Sequence, residues 1–347
     1  MQKKRATPLS EIGEFGLIER LTSGFKTKHS STIKAVGDDA AVIETGGECL
    51  VVTTDLLTEG IHFNLVYNPL KHLGYKAVIV NLSDIYAMNA IPKQITVAIA
   101  VSNKFSIEAM EELYSGIHLA CEKYNLDLAG GDTSSSLTGL TISITALGTA
   151  KKEDIVYRSG AKVNDLICVS GDLGAAYLGL QLLEREKSLF EKDPSLKPDF
   201  AGKDYLLERQ LKPEAKSDII TLLRETGIKP TSMIDISDGL SSEMIHICRN
   251  SDVGCRIYHD KIPIDPMTLV MASEFNMEPV ICALHGGEDY ELLFTVSLSD
   301  YEKIASLKGI SIIGKITKKE ENAFMVSREG NLVQLTAQGW DGMKAEN

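Results

Sequence analysis

The chain has 347 residues, of which 44% are hydrophobic and 24% are charged. This balance excludes a disordered chain and a fibrous repeat, and the length predicts two domains or one large domain. The formal net charge is −12 and no run of five basic residues occurs, so we do not expect a nucleic-acid partner.

Targeting and redox signals favour a cytoplasmic protein without a membrane partner. The longest apolar runs are shorter than the roughly 18–20 residues that a membrane-spanning helix needs. No apolar stretch follows the basic residues at the start, so no secretory signal is visible. The six cysteines include no C-x-x-C pair, which indicates reduced core thiols rather than a disulfide framework or a zinc site.

Hydrophobic periodicity predicts alternating strands and helices in the first half. Period-two and helical spacing predict strands at 49–55, 94–102 and 141–148, and helices at 69–90 and 107–124. The second face of strands 94–102 and 141–148 carries Thr, Ser and Ala. That face predicts either a half-exposed sheet or a surface that packs on another sheet or a second subunit.

A polar stretch near 150–165 predicts a boundary between domains 1–150 and 151–347. The second half contains predicted strands at 165–171, 232–237, 255–259, 291–296 and 311–317, and helices at 174–187 and 239–250. Segment 188–203 is polar and contains proline, which predicts a surface excursion, either a lid or a plain loop. Residues 309–316 match G-x-x-x-x-G-K without the final Ser or Thr, and their apolar interior indicates a strand rather than a phosphate-binding loop.

Acidic residues beside glycine or at predicted strand ends form six clusters. They are GDDA (37–40), TTD with EGIHF (53–63), NLSD (81–84), GGDTS (130–134), IDISDGLS (234–241) and GGEDYE (286–291). Each cluster alone is equally well explained by turn chemistry or a helix cap. Several follow predicted strands, however, where α/β sheets bind ligands. Carboxylates gathered there repel one another, and a hard cation such as Mg²⁺ relieves that repulsion and allows phosphate binding.

In this order, the motifs GDDAAVI, TTDLLTEGIHF, NLSDIYAMNA, GGDTS, YRSGA, DISDGLSSE and GGEDYELLFT resemble the thiamine-monophosphate kinases. The resemblance covers residues 11–341. That family belongs to the aminoimidazole-ribonucleotide synthetase-like superfamily of ATP-dependent enzymes. The resemblance implies an α/β fold of two domains, in which N-terminal sheets pair across a homodimer into a barrel-like core. Domain 1–150 would bind ATP and Mg²⁺ and dimerise, and domain 151–347 would complete the nucleotide and substrate site.

The resemblance also implies an activity. A kinase of this family transfers the γ-phosphoryl group of ATP to thiamine monophosphate, which gives thiamine diphosphate and ADP in the last step of thiamine diphosphate biosynthesis. The transfer is direct, with no phosphoenzyme. The acceptor phosphate is already ionised at neutral pH, so no strong general base is needed, and no His–Asp pair stands out in the sequence.

The matching motifs imply roles for individual residues. The expected ligands of several Mg²⁺ ions are Asp39, Thr53, Thr54, Asp55, Asp84, Asp132, Asp235 and Asp238. The expected ATP contacts are Gly131, Asp132, Arg158 and Ser237, and the expected substrate contacts are His62, Glu288 and Trp340. Asp38 could share or replace the role of Asp39. Structural alternatives also stay open: Trp340 as a core anchor, His62 as a capping or core histidine, and Arg158 as a surface ion pair.

Rival interpretations fit less well. Selenophosphate synthetase would need a reactive cysteine in an N-terminal loop, and no cysteine precedes Cys49; the hydrogenase-maturation relative would need a C-terminal cysteine, and this sequence ends GMKAEN. Aminoimidazole-ribonucleotide synthetase stays open as an alternative, although it lacks the combination of EGIHF and NLSDIYAMNA. A non-catalytic nucleotide- or metal-sensing scaffold would be expected to lose some carboxylates.

Two positions depart from the family pattern, His285 before GGED and Gly342 after GWD.

Overall fold

The computed structural model describes residues 11–337. Its first sheet consists of β1 (Thr32–Lys34), β2 (Ala41–Glu44), β3 (Cys49–Thr58), β4 (Ile91–Ser102), β5 (Asp127–Ser136) and β6 (Leu140–Ala150), in the order β1-β2-β3-β6-β4-β5. Neighbouring strands are antiparallel except β4 and β5, which are parallel. The helices of this half are α1 (Gly13–Thr22), α2 (Leu70–Ala87) and α3 (Ile107–Tyr124).

The predicted alternation of the first sheet separates a helix-covered face from an exposed one. Ile95 and Val97 of β4 and Ile142 and Ile144 of β6 are buried on the side of α2. The other side, which we name the open face, carries Thr54, Leu56, Thr96, Ala98, Ser143, Thr145 and Asp132. Leu56 is 56% exposed on this face, so residues 11–337 leave more than half of this apolar side chain uncovered.

Helix α2 is buried on nearly every side because it packs against α3, the first sheet and a strand of the second sheet. Its Gly74 lies against α3 so closely that a Cβ would be 2.0 Å from the carbonyl oxygen of Leu113. A Cβ on Gly116 of α3 would be 1.8 Å from the carbonyl oxygen of Lys71. The two glycines therefore let the helix backbones touch, which fixes the position of α2 and of the polar residues it carries.

The second sheet has seven strands. They are β7 (Leu166–Ser170), β8 (Ser232–Asp235), β9 (Gly254–Tyr258), β10 (Leu292–Val296), β11 (Ile310–Thr317), β12 (Ala323–Val326) and β13 (Leu332–Gln334), in the order β13-β12-β9-β11-β7-β10-β8. Its helices are α4 (Ala175–Lys192), α5 (Asp204–Leu211), α6 (Ser217–Glu225), α7 (Leu240–Ser251), α8 (Pro266–Glu274), α9 (Pro279–His285) and α10 (Tyr301–Ala305). Residues 309–316 lie almost wholly in β11, which confirms a strand there.

The predicted start of the polar excursion is wrong by five residues. Helix α4 continues to Lys192, since Leu189, Glu191 and Lys192 are good helix formers. It stops there because the next residue, Asp193, has the extended backbone that the following Pro194 requires. The largest hydrophobic cluster joins residues of both sheets, including Ile79 of α2 and Phe294 of β10. Within residues 11–337, no helix is long and apolar enough to cross a membrane.

Candidate metal and phosphate site

Three aspartates from distant parts of the sequence converge where α2 contacts β8. Asp39 lies in the turn between β1 and β2, Asp84 lies in the last turn of α2, and Asp235 ends β8. One carboxylate oxygen of each lies within 4.8 Å of the other two. Asp39 and Asp235 are 7% and 3% exposed, so water screens their charges poorly. We name these residues the aspartate triad.

The electrostatics of the aspartate triad fit a bound cation. Burial raises the pKa of Asp39 to about 7, despite the guanidinium of Arg158 beside it. Burial raises the pKa of Asp235 to about 6, and burial together with the neighbouring carboxylates raises the pKa of Asp84 well above its usual value. The buried Oδ2 atoms of Asp39 and Asp55 have no hydrogen-bond partner among the described residues. Clustered carboxylate oxygens without donors are the ligands that Mg²⁺ prefers.

Strand β3 brings two further residues to the triad. Thr53 and Asp55 project from the same side of the strand, because alternate residues share a face. The hydroxyl of Thr53 donates to Oδ2 of Asp84 at 2.5 Å, and the backbone N–H of Asp55 donates to Oδ1 of Asn81 at 3.1 Å. Burial raises the pKa of Asp55 to about 6, and the charge of Asp55 raises the pKa of Asp84. The five predicted ligands Asp39, Thr53, Asp55, Asp84 and Asp235 are therefore neighbours.

Asp38 and Asp39 have different surroundings. Oδ1 of Asp39 accepts hydrogen bonds from Nε and Nη2 of Arg158 at 2.9 and 2.5 Å. Oδ1 of Asp38 accepts from the backbone N–H of Arg158 at 3.0 Å, and its Oδ2 lies 3.0 Å from Nζ of Lys34. Asp38 thus links the turn between β1 and β2 to the backbone of Arg158, whereas Asp39 belongs to the triad. Arg158 forms an ion pair, but with a buried carboxylate at the site rather than on the surface.

The loop after β8 carries the predicted residues Ser237 and Asp238. Glu243 of α7 is 2% exposed, and its Oε1 accepts from the backbone N–H groups of Ser237 and Asp238 at 3.3 and 2.8 Å. The charge of Asp238 contributes to raising the pKa of Asp235, which places the two carboxylates near each other. Ser237 is exposed at the rim of the site. Glu243 therefore holds this loop beside the triad.

Thr54, Gly131 and Asp132 lie elsewhere. The hydroxyl of Thr54 donates to the carbonyl oxygen of Ile144 at 3.1 Å on the open face. Asp132 lies on the exposed edge strand β5, and it pairs with Ala98 on the same face. Strand β5 is three strands away from β3 in the sheet, or about 14 Å at the usual strand spacing. One copy of the chain therefore does not bring Thr54 and Asp132 together.

A cavity lies beside the edge strand. It has a volume of about 460 Å³ and is lined by Val97, Tyr114, Leu128, Ala129, Gly130, Gly131, Asp132 and Thr133. At Gly131 the backbone approaches β4 so closely that a Cβ would lie 1.8 Å from the carbonyl oxygen of Val97. The cavity combines an aromatic ring, exposed backbone and a carboxylate.

Of the predicted substrate contacts, Glu288 lies beside the loop after β8, because its backbone N–H donates to the carbonyl oxygen of Ser237 at 2.7 Å. Nδ1 of His62 accepts from the backbone N–H of Thr58 at 3.0 Å, and burial lowers the pKa of His62 although Glu288 acts in the opposite direction. Glu288 is partly exposed, and Oε1 lies 2.9 Å from Nζ of Lys76. His62 and Glu288 are thus neighbours. Trp340 lies outside the described residues.

Several residues of the site were not predicted from the sequence, among them Glu243 of α7. Lys76 and Gln210 contact Glu288, and Tyr114 lines the cavity. Burial raises the pKa of Tyr290, and the nearby charges of Glu288 and Asp55 raise it further. Lys76 had a signal, since a lysine in the middle of an apolar helix requires a partner. The sequence around Gln210 gives no comparable signal.

The chain is similar to known proteins over nearly its whole length. Residues 37–150 match the family described as AIR synthase related protein, N-terminal domain. With its two sheets and acidic site, the chain is thus an AIR synthase-related α/β protein. It is 33% identical to the thiamine-monophosphate kinase of Aquifex aeolicus, over 88% of this chain and 96% of that protein. It is 32% identical to the thiamine-monophosphate kinase of Bacillus subtilis, over 96% of this chain and 100% of that protein.

The fold agrees with these relatives. The solved structure of AaThiL complexed with AMPPCP and TMP superimposes with a TM-score of 0.84 at 30% identity, and the match covers 97% of this chain and 99% of that chain. The chain belongs to the thiamine-monophosphate kinase family. The family, the α/β fold class and the kinase class expected from the sequence are confirmed.

Proposed function

We propose that the chain transfers the γ-phosphoryl group of ATP to thiamine monophosphate with Mg²⁺ bound at the aspartate triad, giving thiamine diphosphate and ADP. Family membership supports the reaction, and AMPPCP and TMP are bound together in the related AaThiL structure. The convergence of Asp39, Asp84 and Asp235 is the observation that carries the proposal for this chain. Two phosphate-bearing anions can meet at an acidic protein only where cations screen them.

The residues on the inner side of β3 are suited to hold magnesium. Asp39, Asp55, Asp84 and Asp235 supply carboxylates, Thr53 orients Asp84, and Asp238 lies in the adjoining loop. Bound Mg²⁺ would neutralise phosphate oxygens and the charge that develops during transfer. Arg158 keeps Asp39 oriented and brings a fixed positive charge to the place where ATP phosphates would lie. Ser237 offers a hydroxyl at the rim.

ATP is proposed to bind in the cavity beside β5. Tyr114 offers an aromatic face for a purine base, and the backbone at Gly130 and Gly131 allows close approach. Asp132 provides a further metal ligand next to this cavity. This assignment gives Gly131 and Asp132 the roles that the sequence resemblance implied.

The open face is proposed to pair with the same face of a second copy. Thr54 and Asp132 lie on this face in positions about 14 Å apart, too far to share an ion within one chain. A two-fold related copy would place its own Asp132 over Thr54 and cover Leu56, which is 56% exposed. In this proposal, residues 1–150 dimerise and bind ATP and metal, and residues 151–347 complete the nucleotide and substrate site.

The acceptor is proposed to bind beside the loop after β8, between His62 and Glu288, with Trp340 as a third contact. The acceptor phosphate would then point toward the metal site, and its ionised oxygen can attack without a general base.

All six cysteines are buried free thiols, which supports a reducing compartment, and we propose the cytoplasm.

The test is a product assay with several phosphorylated acceptors. Purified protein with ATP and Mg²⁺ should form one thiamine diphosphate per ADP when thiamine monophosphate is present. ADP formed only with formylglycinamidine ribonucleotide would instead assign the purine enzyme of the superfamily. Nucleotide binding without turnover on any acceptor would favour a scaffold.

A further inference from the structure

Lys76 is buried in the middle of α2 with only 2% of its surface exposed. A buried ammonium is costly unless each donor has a partner. Its Nζ lies 2.9 Å from Oε1 of Glu288 and donates to the carbonyl oxygen of Gln210, also at 2.9 Å. Nε2 of Gln210 donates to Oε2 of Glu288 at 2.7 Å. Each oxygen of the Glu288 carboxylate therefore has one internal partner, and the two partners bind each other.

The loop that carries Glu288 has an uncommon backbone. Glu288 and Tyr290 have φ angles of +58° and +50°, in the left-handed region that non-glycine residues rarely adopt. Such conformations persist where the surroundings determine them, often at ligand sites. Arg209, the neighbour of Gln210 in α5, holds the same loop because its Nη1 donates to Oε1 of Glu291 at 2.7 Å. Helices α2 and α5 thus hold this loop from two directions.

We propose that Lys76 and Gln210 are positioning residues that aim the Glu288 carboxylate at the acceptor substrate. The proposal rests on the proposed contact between Glu288 and thiamine monophosphate. A carboxylate has about four lone-pair positions, and the two internal bonds leave the others to accept from a ligand. The side chain of Glu288 is 29% exposed, so these positions are reachable. An N–H donor such as the amino group of an aminopyrimidine fits this acceptor.

The ion pair between Lys76 and Glu288 also suggests that Glu288 has a different function from the aspartates of the triad. Lys76 balances the charge of Glu288, whereas the triad has an excess of carboxylates over cations. Glu288 is therefore suited to recognise a hydrogen-bond donor, and the triad is suited to hold metal. Loss of Lys76 would leave the carboxylate held by Gln210 alone and would affect acceptor binding more than ATP binding.

The test measures both Michaelis constants in two positioning variants. Lys76→Met and Gln210→Met should raise KM for thiamine monophosphate roughly tenfold, with KM for ATP and kcat changed less than about twofold. Lys71→Met, at an exposed position of the same helix, is the matched control and should change neither constant. In a Glu288→Gln background, Lys76→Met should add little, since the residue then has no carboxylate to position.

The outcomes separate the two proposals. If Glu288→Gln raises KM for thiamine monophosphate but neither positioning variant does, the positioning role is refuted and the acceptor contact stands. If Glu288→Gln leaves that KM unchanged, the acceptor contact itself is refuted. If Lys76→Met does not fold, the KM of Gln210→Met for thiamine monophosphate alone tests the positioning role. Oε1 of Gln210 is buried with no hydrogen-bond partner among the described residues, so methionine removes an unsatisfied atom there.

Discussion

Replacing Asp84 with asparagine should make the metal-free protein more stable and the enzyme inactive. The substitution removes one charge from the triad but keeps the shape of the side chain, and the new amide oxygen can still accept from Thr53. Two unit charges 4.8 Å apart repel by about 3.5 kcal/mol at an effective dielectric constant of about 20. Protons relieve part of this repulsion at pH 7, so we expect Asp84→Asn to raise the free energy of unfolding by about 1–3 kcal/mol.

Urea unfolding in the presence of a chelator measures this gain, and the exposed Asp154→Asn is the control for a lost surface charge. Magnesium should raise the melting temperature of the wild type and of the control. It should have little effect on Asp84→Asn, and turnover should fall roughly 100-fold or more in that variant. A destabilised Asp84→Asn protein that still gains stability from magnesium would refute the triad as a metal site, because Asp84 would then be a structural residue.

Further predictions concern pH, subunits, nucleotide and packing. The pKa of Asp39 is about 7 in the folded chain and 3.8 as a free side chain, so the folded state binds more protons between these values. The stability of metal-free protein should therefore fall as pH rises from about 4 to 7, measured by thermal unfolding with chelator, and magnesium should reverse the fall. Mixing the inactive variants Asp55→Asn and Asp132→Asn should restore about one quarter of wild-type activity if each site joins two copies, and none if it does not. Tyr114→Ala should raise KM for ATP roughly tenfold without changing KM for thiamine monophosphate, in steady-state assays. Gly116→Ala should destabilise the protein by about 2–4 kcal/mol in urea unfolding, because the added methyl group meets backbone.

Strong periodicity made most of the first sheet predictable. Strands 94–102 and 141–148 alternate apolar and small residues, and both lie within longer strands, β4 and β6. Strand β5 was not predicted, because its GGDTSSS stretch has the composition of a turn. Its extended form follows from pairing with β4 along its length, which is a tertiary effect that local propensity does not contain.

The residues of the site likewise include some that could be predicted from the sequence and some that could not. The grouping of Asp39, Asp84 and Asp235 was expected from the family resemblance, whereas position at a predicted strand end indicated only Asp235 among the three. The contact between Lys76 and Gln210 joins positions 134 residues apart and depends on α5, a helix with no clear sequence signal. Only the packing of α5 on α2 brings the two together.

The alternation of side chains along β3 explains why the motif Thr53–Asp55 contributes residues to both the triad and the open face. Thr53 and Asp55 face α2 and the triad, so Thr54 between them must face the opposite side of the sheet. If Thr54 binds metal as the family motif implies, its partner ligands must come from the open face, and Asp132 of the same chain lies too far along the sheet. A second copy is then part of the chemistry rather than an accessory to it. If so, activity requires the dimer, and we predict that dilution below the dissociation constant removes activity before it removes the folded state.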